Sequence, residues 1–297
     1  MTVKCCAKVV VGVPVYNERV HLQECLESIA SQDCPDFAVV VSDNASTDGS
    51  AALAEEFCRR DNRFHLIQQG TNRGAAVNFA ECFIQSSSLY FGFVGAHDVL
   101  KTHHLSAHLS ELEQRPSASL SFTPWEYIDE RGLIQGHVPD RLLPGMGPTD
   151  DCPWQRVLWS VRNHAVGSGL WSGLFRRSHM PRPPYPPVGA CDHLLLTQAL
   201  FNGPAIERPG YTYQERIFRN KTSGYMERIT GNRRSRIHLT GIYREYMRWY
   251  DSLPHSSEWY AYRPLFRRSV IRKCILMTSL WGRINGLRTR IGLAPVR

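Results

Sequence analysis

Residues 7–18 read Ala-Lys-Val-Val-Val-Gly-Val-Pro-Val-Tyr-Asn-Glu, and this stretch decides how the rest of the chain is read. Ala7–Val15 is short, almost wholly apolar and rich in valine, the pattern of a strand buried on both faces of a parallel sheet. Pro14 has no N–H for a ladder bond, so the strand is expected to end there or by Asn17 and to release a loop that can meet a ligand. Next, Leu22, Leu26 and Ile29 fall at helical spacing, which predicts an amphipathic helix over Arg19–Ser31. The alternation then repeats. Phe37–Ser42, Phe64–Gln68 and Tyr90–Gly95 read as strands, and Ser50–Arg60 and Ala75–Ser86 as helices. That order predicts an α/β fold, a mostly parallel central sheet built by right-handed crossovers with helices on both faces. Ligands of such sheets bind outside the carboxyl ends of the strands. Those ends carry Asn17 and Glu18, Asp43 and Asn44, and His97 and Asp98, so three of them are expected to converge on one crevice.

The 297 residues are 42% apolar and 21% charged, a balance that excludes disorder, collagen-like repeats and coiled coil. No apolar run approaches the roughly 20 residues of a membrane-spanning helix. The stretch before Lys8 lacks the apolar region of a signal peptide, so a cytoplasmic chain is expected. Nine cysteines are scattered without a repeated Cys-x-x-Cys spacing, which argues against a disulfide framework or a zinc site. Cys25, Cys58 and Cys82 fall in the predicted helices and read as reduced, buried thiols. The net charge of +8 hides an asymmetry: residues 1–204 carry 16 Lys and Arg against 21 Asp and Glu, and residues 205–297 carry 19 against 6. A basic last third is drawn to an anionic surface such as phospholipid or nucleic acid, unless it is simply a solvated pair of helices.

Beyond a helix predicted at Thr102–Arg115, the pattern loosens. Leu120–Trp125 and Leu133–His137 flank a hairpin-like turn at Asp129–Gly132, Pro139–Pro153 reads as a loop, and Val166–Phe175 as a strand near the site. Two basic, aromatic helices are expected over Arg233–Asp251 and Trp259–Leu287.

Four segments, in order, resemble a known family. They are Val11-Gly12-Val13-Pro14-Val15-Tyr16-Asn17-Glu18, then Ser42-Asp43-Asn44-Ala45-Ser46-Thr47-Asp48-Gly49-Ser50, then Asn72-Arg73-Gly74-Ala75-Ala76-Val77-Asn78, then Gly95-Ala96-His97-Asp98. The chain is similar over residues 7–225 to the nucleotide-sugar-dependent family 2 glycosyltransferases, which have the Rossmann-like GT-A fold. The resemblance implies a donor site in which Pro14, Tyr16, Asn17 and Glu18 line the nucleoside. Asp43, with Asn44 beside it, would accept a hydrogen bond from the imide N–H of uracil or a similar base. Asn72, Gly74 and Asn78 would cover the nucleotide, beside a helix start whose amides favour negative charge. Residue type alone also allows Ser46, Thr47 and Asp48 to be helix caps, and Asn72–Gly74 a turn.

His97 and Asp98 stand where the family places an acidic motif that holds a divalent metal against the donor diphosphate. Val99 occupies the second acidic place. The resemblance thus implies Mn²⁺ or Mg²⁺ on Asp98, since such ions can take one carboxylate together with phosphates and waters. His97 can assist with Mn²⁺. Arg73 or Lys221 is the alternative counter-charge for the leaving diphosphate. Pro187–Leu196 resembles the segment whose aspartate opens the acceptor-side helix, making Asp192 the candidate general base of an inverting transfer, with His193 a lesser candidate. As a residue type, Asp192 equally fits an N-cap for a helix over 192–201. In Tyr213–Ser223, Phe218 stands where relatives often have histidine, and Arg216, Arg219 and Lys221 are expected to keep positive charge beside the pyrophosphate.

These readings divide the chain into a glycosyltransferase domain, 1–225, with a nucleotide half, 1–100, and an acceptor half, 101–225, followed by a basic helical extension, 226–297. The implied function is transfer of a sugar from a UDP-type donor to a hydroxyl of a saccharide or lipid-linked glycan. The extension has the composition of an interfacial helix, which would place the protein peripherally at the inner face of an anionic membrane. Packing on the catalytic domain or on a second copy is the alternative. Two other functions fit the residues: nucleotide binding without turnover, which Val99 and Phe218 suggest, and a nucleic-acid-directed activity that uses the basic tail.

Overall fold

The computed structural model describes residues 6–138, 151–162, 170–187, 191–218 and 239–290. The first half follows the predicted alternation: β1 (Val9–Val15), α1 (Arg19–Ala30), β2 (Phe37–Asp43), α2 (Ser50–Arg60), β3 (Phe64–Gln68), α3 (Ala75–Ile84) and β4 (Tyr90–Phe93). β1 runs parallel between β2 and β4, which explains its lack of polar alternation. Val9, Val11, Val13 and Val15 enter one apolar layer with Leu22, Leu26 and Ile29 of α1; Val10 enters the other with Ala76, Ala80 and Phe83 of α3. Burying each valine contributes about 1.5–3 kcal/mol. Gly12 faces α3, where an added Cβ would lie 2.8 Å from the Cys82 Cβ and 2.9 Å from the Phe91 ring. Glycine is what lets α3 sit this close to the sheet.

The strand does not stop at Pro14. It continues to Val15, paired only with β2, because the β4 ladder ends at Gly12 opposite Phe93. Pro14 therefore sits where no partner asks for its missing N–H.

Three short strands extend this sheet past β4: β9 (Leu174–Arg176), β6 (Leu120–Phe122) and β10 (Ala205–Glu207), giving the order β10-β6-β9-β4-β1-β2-β3. Only β9 is antiparallel to its neighbours. The expected strand over 166–175 is thus shorter and later, with 163–169 outside the described residues. The expected strand over 120–125 is two strands in different sheets, since Trp125 begins β7 (Trp125–Ile128). With β5 (Val99–Leu100), β11 (Tyr213–Arg216) and β8 (Ile134–His137), β7 forms a second sheet in the order β5-β11-β7-β8, and β7 and β8 make the expected hairpin.

The remaining helices are α4 (His104–Gln114), α5 (Pro153–Arg162), α6 (Cys191–Asn202), α7 (Leu239–Asp251) and α8 (Ser257–Arg290). The expected loop over 139–153 falls largely outside the described residues, but Pro153 begins α5, a first-turn position where its missing N–H costs nothing. Tyr246, Tyr250, Trp259, Phe266 and Val270 of α7 and α8 pack on Trp154, Val157, Leu158 and Val161 of α5 in a third apolar cluster. The first part of the basic tail thus lies against the rest of the chain.

Candidate functional site

The loops after β1 and β2 are locked to each other by the residues that read as caps. Asn17 N–H donates to Ser46 Oγ at 2.9 Å, Glu18 N–H to Ser50 Oγ at 3.0 Å, and Arg19 N–H to Asp48 Oδ2 at 2.9 Å. In return, Thr47 N–H donates to Asn17 Oδ1 at 2.8 Å. Gly49, at φ 94°, is the residue that caps α2. Asn17 and Ala45 both adopt left-handed backbone, φ 53° and 61°. Asparagine tolerates that conformation and alanine resists it, so the loop after β2 holds local strain, a common property of ligand sites.

Asp43 ends β2 and is 2% exposed. Its Oδ2 accepts the Ser46 N–H at 3.1 Å, while Oδ1 is buried without a hydrogen-bond partner among the described residues. A buried carboxylate oxygen left without a donor is costly, and a ligand N–H would remove that cost.

The segment before α3 folds onto the same edge. Asn44 Nδ2 donates to Asn72 Oδ1 at 2.8 Å, and Arg73 N–H donates to Asn44 Oδ1 at 2.9 Å. Gly74 N–H donates to Asn72 Oδ1 at 2.9 Å, and its φ of 86° requires glycine. Asn78 Nδ2 donates to Val15 O at 3.1 Å and its Oδ1 accepts from Gln69 Nε2 at 2.9 Å. Asn44 and Asn78, expected as nucleotide contacts, also brace the loops: both are buried, and each holds one hydrogen bond through its oxygen and one through its nitrogen inside the fold.

The rim continues to the end of β4. Glu18 Oε1 lies 3.4 Å from His97 Nδ1, and His97 Nε2 lies 3.8 Å from Asp98 Oδ1. Contacts therefore run without a break from Asp43 through Ser46, Asn17, Glu18 and His97 to Asp98, with half-buried Tyr16 in the first loop. The three predicted strand ends do converge.

Asp98 is 5% exposed and tied to the second sheet. Tyr213 OH donates to its Oδ2 at 2.5 Å and Arg216 N–H to its Oδ1 at 2.8 Å. Arg216 departs from its expected place beside a pyrophosphate. It is 3% exposed, and its guanidinium donates to His97 O and Asp129 O, each at 2.8 Å, and to Glu24 Oε2 at 2.6 Å. It joins α1, the His97 loop and the β7–β8 turn. Phe218, in the place of the family's histidine, packs its ring 5.2 Å from that of His97 and 5.5 Å from that of His21. Arg219 and Lys221 lie outside the described residues.

Glu215 was not foreseen as a site residue. Burial, and then the charge of Asp98, push its carboxyl up to about 7, with His97 acting in the opposite sense. The signal was there only in the two-residue alternation of β11, where Tyr213 and Glu215 share a face.

Among the described residues no three His, Cys, Asp or Glu side chains are grouped to hold a metal ion. Each Asp98 oxygen accepts one hydrogen bond, which leaves lone pairs on both. This donor set suits a cation that takes most of its ligands from phosphate and water, and does not form a protein cage.

Asp192 lies in the first turn of α6, one third exposed, with Oδ2 3.9 Å from His193 Nε2. α6 ends at Asn202, just before β10 starts from the amino edge of the sheet, so this 12-residue helix, about 18 Å long, begins toward the carboxyl edge. Asp192 thus stands at the end of α6 nearer the carboxyl edge.

The family model described as glycosyl transferase family 2 matches residues 10–163, just over half of the chain. The chain belongs to that family. Its first two strand ends, the α3 segment and the His97–Asp98 loop all fall inside the match. A B. subtilis glycosyltransferase named for teichuronic acid biosynthesis, TuaG, is 27% identical over 132 residues, covering 43% of this chain and 52% of its own. Glycosyltransferase GlyG of Streptococcus pneumoniae is 24% identical over 157 residues, covering 53% and 50%. The chain spans about half the length of these family members. Among solved structures, S. aureus TarS in complex with UDP-GlcNAc aligns with TM-score 0.57 at 20% identity, covering 82% of this chain and 65% of that one. The mannosyltransferase PcManGT of Pyrobaculum calidifontis, in complex with GDP-Man and Mn²⁺, aligns with TM-score 0.55 at 16% identity, covering 92% and 70%. At these identities the two structures establish the GT-A fold.

Proposed function

We propose that this chain is an inverting glycosyltransferase that moves a sugar from a nucleoside-diphosphate sugar, of UDP type, to a hydroxyl of a saccharide or lipid-linked glycan. The observation that carries the reading is the buried, unpartnered Asp43 Oδ1 at the carboxyl end of β2, beside a strained loop. A uracil imide N–H is the donor that this oxygen lacks. Glu18 and Tyr16 line the nucleoside side, and Asn44, Asn72 and Asn78 fix the loops that shape it.

Asp192 takes the proton of the acceptor hydroxyl while that oxygen attacks the anomeric carbon from the face opposite the diphosphate. The bond from that carbon to the diphosphate oxygen breaks, and its electron pair leaves with the nucleoside diphosphate. Asp98, oriented by Tyr213 and Arg216 and assisted by His97, would hold Mn²⁺ or Mg²⁺. When bound, the ion supplies positive charge for the leaving diphosphate.

Among the described residues no helix is long and apolar enough to cross a membrane. Exposed Leu265 and Ile271 share α8 with exposed Arg267, Arg268 and Arg272, which supports peripheral contact with an anionic inner membrane face. Incubating the protein with a panel of nucleotide sugars, with and without Mn²⁺, and measuring nucleoside-diphosphate release tests the function. Release from a uridine donor is expected. Tight nucleotide binding without release from any donor would instead make the protein a binding module.

A further inference from the structure

A groove of about 640 Å³, within the size range of small-molecule sites, runs between α3 and the segment Arg182–Tyr185. It starts at Arg73, beside the Asn72–Gly74 part of the donor rim, and reaches Arg177 and Arg182. Its charges are unequal. Arg73 is offset by Glu81, 3.2 Å away, whereas neither Arg177 nor Arg182 is paired with a carboxylate among the described residues. Arg177 Nη2 donates to Phe83 O and Ser86 O at 2.8 and 2.7 Å, and the guanidinium lies 4.1 Å over the Phe83 ring, so the side chain is fixed. Its Nε is nevertheless buried without an acceptor among the described residues. Burial, and the nearby charge of Arg182, pull the Arg177 pKa below its usual value, with Tyr185 opposing. Two neighbouring cations, neither paired with a carboxylate among the described residues, and a spare donor fit an anion with several acceptor oxygens.

Two exposed apolar side chains flank these arginines. Ile84, which lines the groove, is 50% exposed; Leu89, whose carbonyl accepts the Arg177 N–H at 3.0 Å, is 66% exposed. The matching ligand therefore carries both a phosphate and an apolar chain. α3 spans ten residues, about 15 Å, between the arginine end of the groove and the donor rim, a distance that a few sugar rings bridge.

We propose that this groove binds the lipid phosphate of a lipid-linked acceptor. Arg177 and Arg182 grip the phosphate ester, its chain lies on Ile84 and Leu89, and its saccharide runs along α3 past Val77 and Arg73 to the donor. The proposal rests on the transferase reading and names its acceptor class.

The test measures binding of geranylgeranyl phosphate, geranylgeraniol and inorganic phosphate to the full chain, with UDP affinity measured in parallel. The variants are Arg182→Glu, Arg182→Gln and Ile84→Asp; Arg177 is left in place because it anchors the end of α3. The ester should bind about tenfold or more tightly than the alcohol, as one charge-assisted contact predicts. Either Arg182 variant should weaken the ester about tenfold and Ile84→Asp about threefold, with UDP affinity and thermal melting unchanged. Equal affinity for ester and alcohol, an Arg182 variant with wild-type ester affinity, or inorganic phosphate that binds as tightly as the ester would overturn the proposal. A wild-type chain that binds the ester but not UDP would instead refute the donor reading and leave the groove assignment standing.

Discussion

Replacing Asp43 with asparagine separates the donor-site account from a purely structural role for this residue. In the free protein, asparagine keeps an oxygen for the Ser46 N–H, now 3.1 Å from Asp43 Oδ2, and places an NH₂ group where Oδ1 is buried without a partner. Asp43→Asn removes a buried charge, so the folded state should lose little stability. Against a uracil ring, however, the NH₂ would face the imide N–H, donor against donor. The loss is one charge-assisted hydrogen bond, about 1.5–3 kcal/mol, which raises the UDP dissociation constant about 10- to 150-fold. Cytosine presents an acceptor at that ring position, so CDP should lose far less and the UDP-to-CDP preference should fall. Isothermal titration of both nucleotides, alongside a thermal melt, reads all three quantities. Asp43→Asn that binds UDP within twofold of wild type while melting normally would refute the reasoning.

Asp192→Asn should lower turnover about 10²- to 10⁴-fold with donor affinity unchanged, as a lost general base does; full turnover in a transfer assay would remove Asp192 from that role. Arg216→Met removes the buried guanidinium that donates to His97 O and Asp129 O, of which Asp129 O keeps the Gly132 N–H at 3.0 Å, and should cost about 1–3 kcal/mol in urea unfolding, while half-exposed Glu24 resolvates; wild-type stability would show that the tie contributes nothing. Gly12→Ala forces a Cβ to within 2.8 Å of Cys82 and should lower stability by about 1–3 kcal/mol, read in the same way. His104 and His108 are fully buried on α4, hydrogen-bonded to Thr212 and Ser121, and burial holds His104 down to about 4 and His108 well below its ordinary value. The unfolded chain takes up these protons first, so the stability they carry is complete above about pH 6.5 and falls as pH drops toward 4. His104 alone accounts for about 3 kcal/mol across that window. Glu215 acts in the opposite sense, so the comparison is between wild type and the double variant His104→Asn, His108→Asn; equal pH slopes between 7.5 and 5 would contradict the assignment.

What could be read in the chain depended on how far its partners lay. β1, β2 and β4 are almost wholly buried runs and β3 a short apolar edge strand, all set against helices with clear periodicity, so Phe64–Gln68 and Ser50–Arg60 emerge with the bounds the structure gives them. Of the second sheet only the β7–β8 hairpin is legible: β5 has two residues and β11 four, and β11 pairs with Val99 and Trp125, about ninety or more residues away in the chain. Its loss concealed what Arg216 and Glu215 do, because a charged residue seen without its partners reads as surface. In the sequence Pro153 reads as the end of a loop, since proline closes loops as readily as it starts helices. At the site, the polar residue types mark the rim, but only coordinates separate Asp43, one of whose buried oxygens has no partner among the described residues, from Asn44 and Asn78, each of which holds a bond inside the fold through both its oxygen and its nitrogen.

The most direct test is a crystal structure of the full chain with UDP and Mn²⁺. Uracil should lie at the carboxyl end of β2 with its imide nitrogen about 3 Å from Asp43 Oδ1, and the diphosphate should point toward Asp98. A nucleotide bound on another face, with Asp43 Oδ1 still unpaired, would contradict the account.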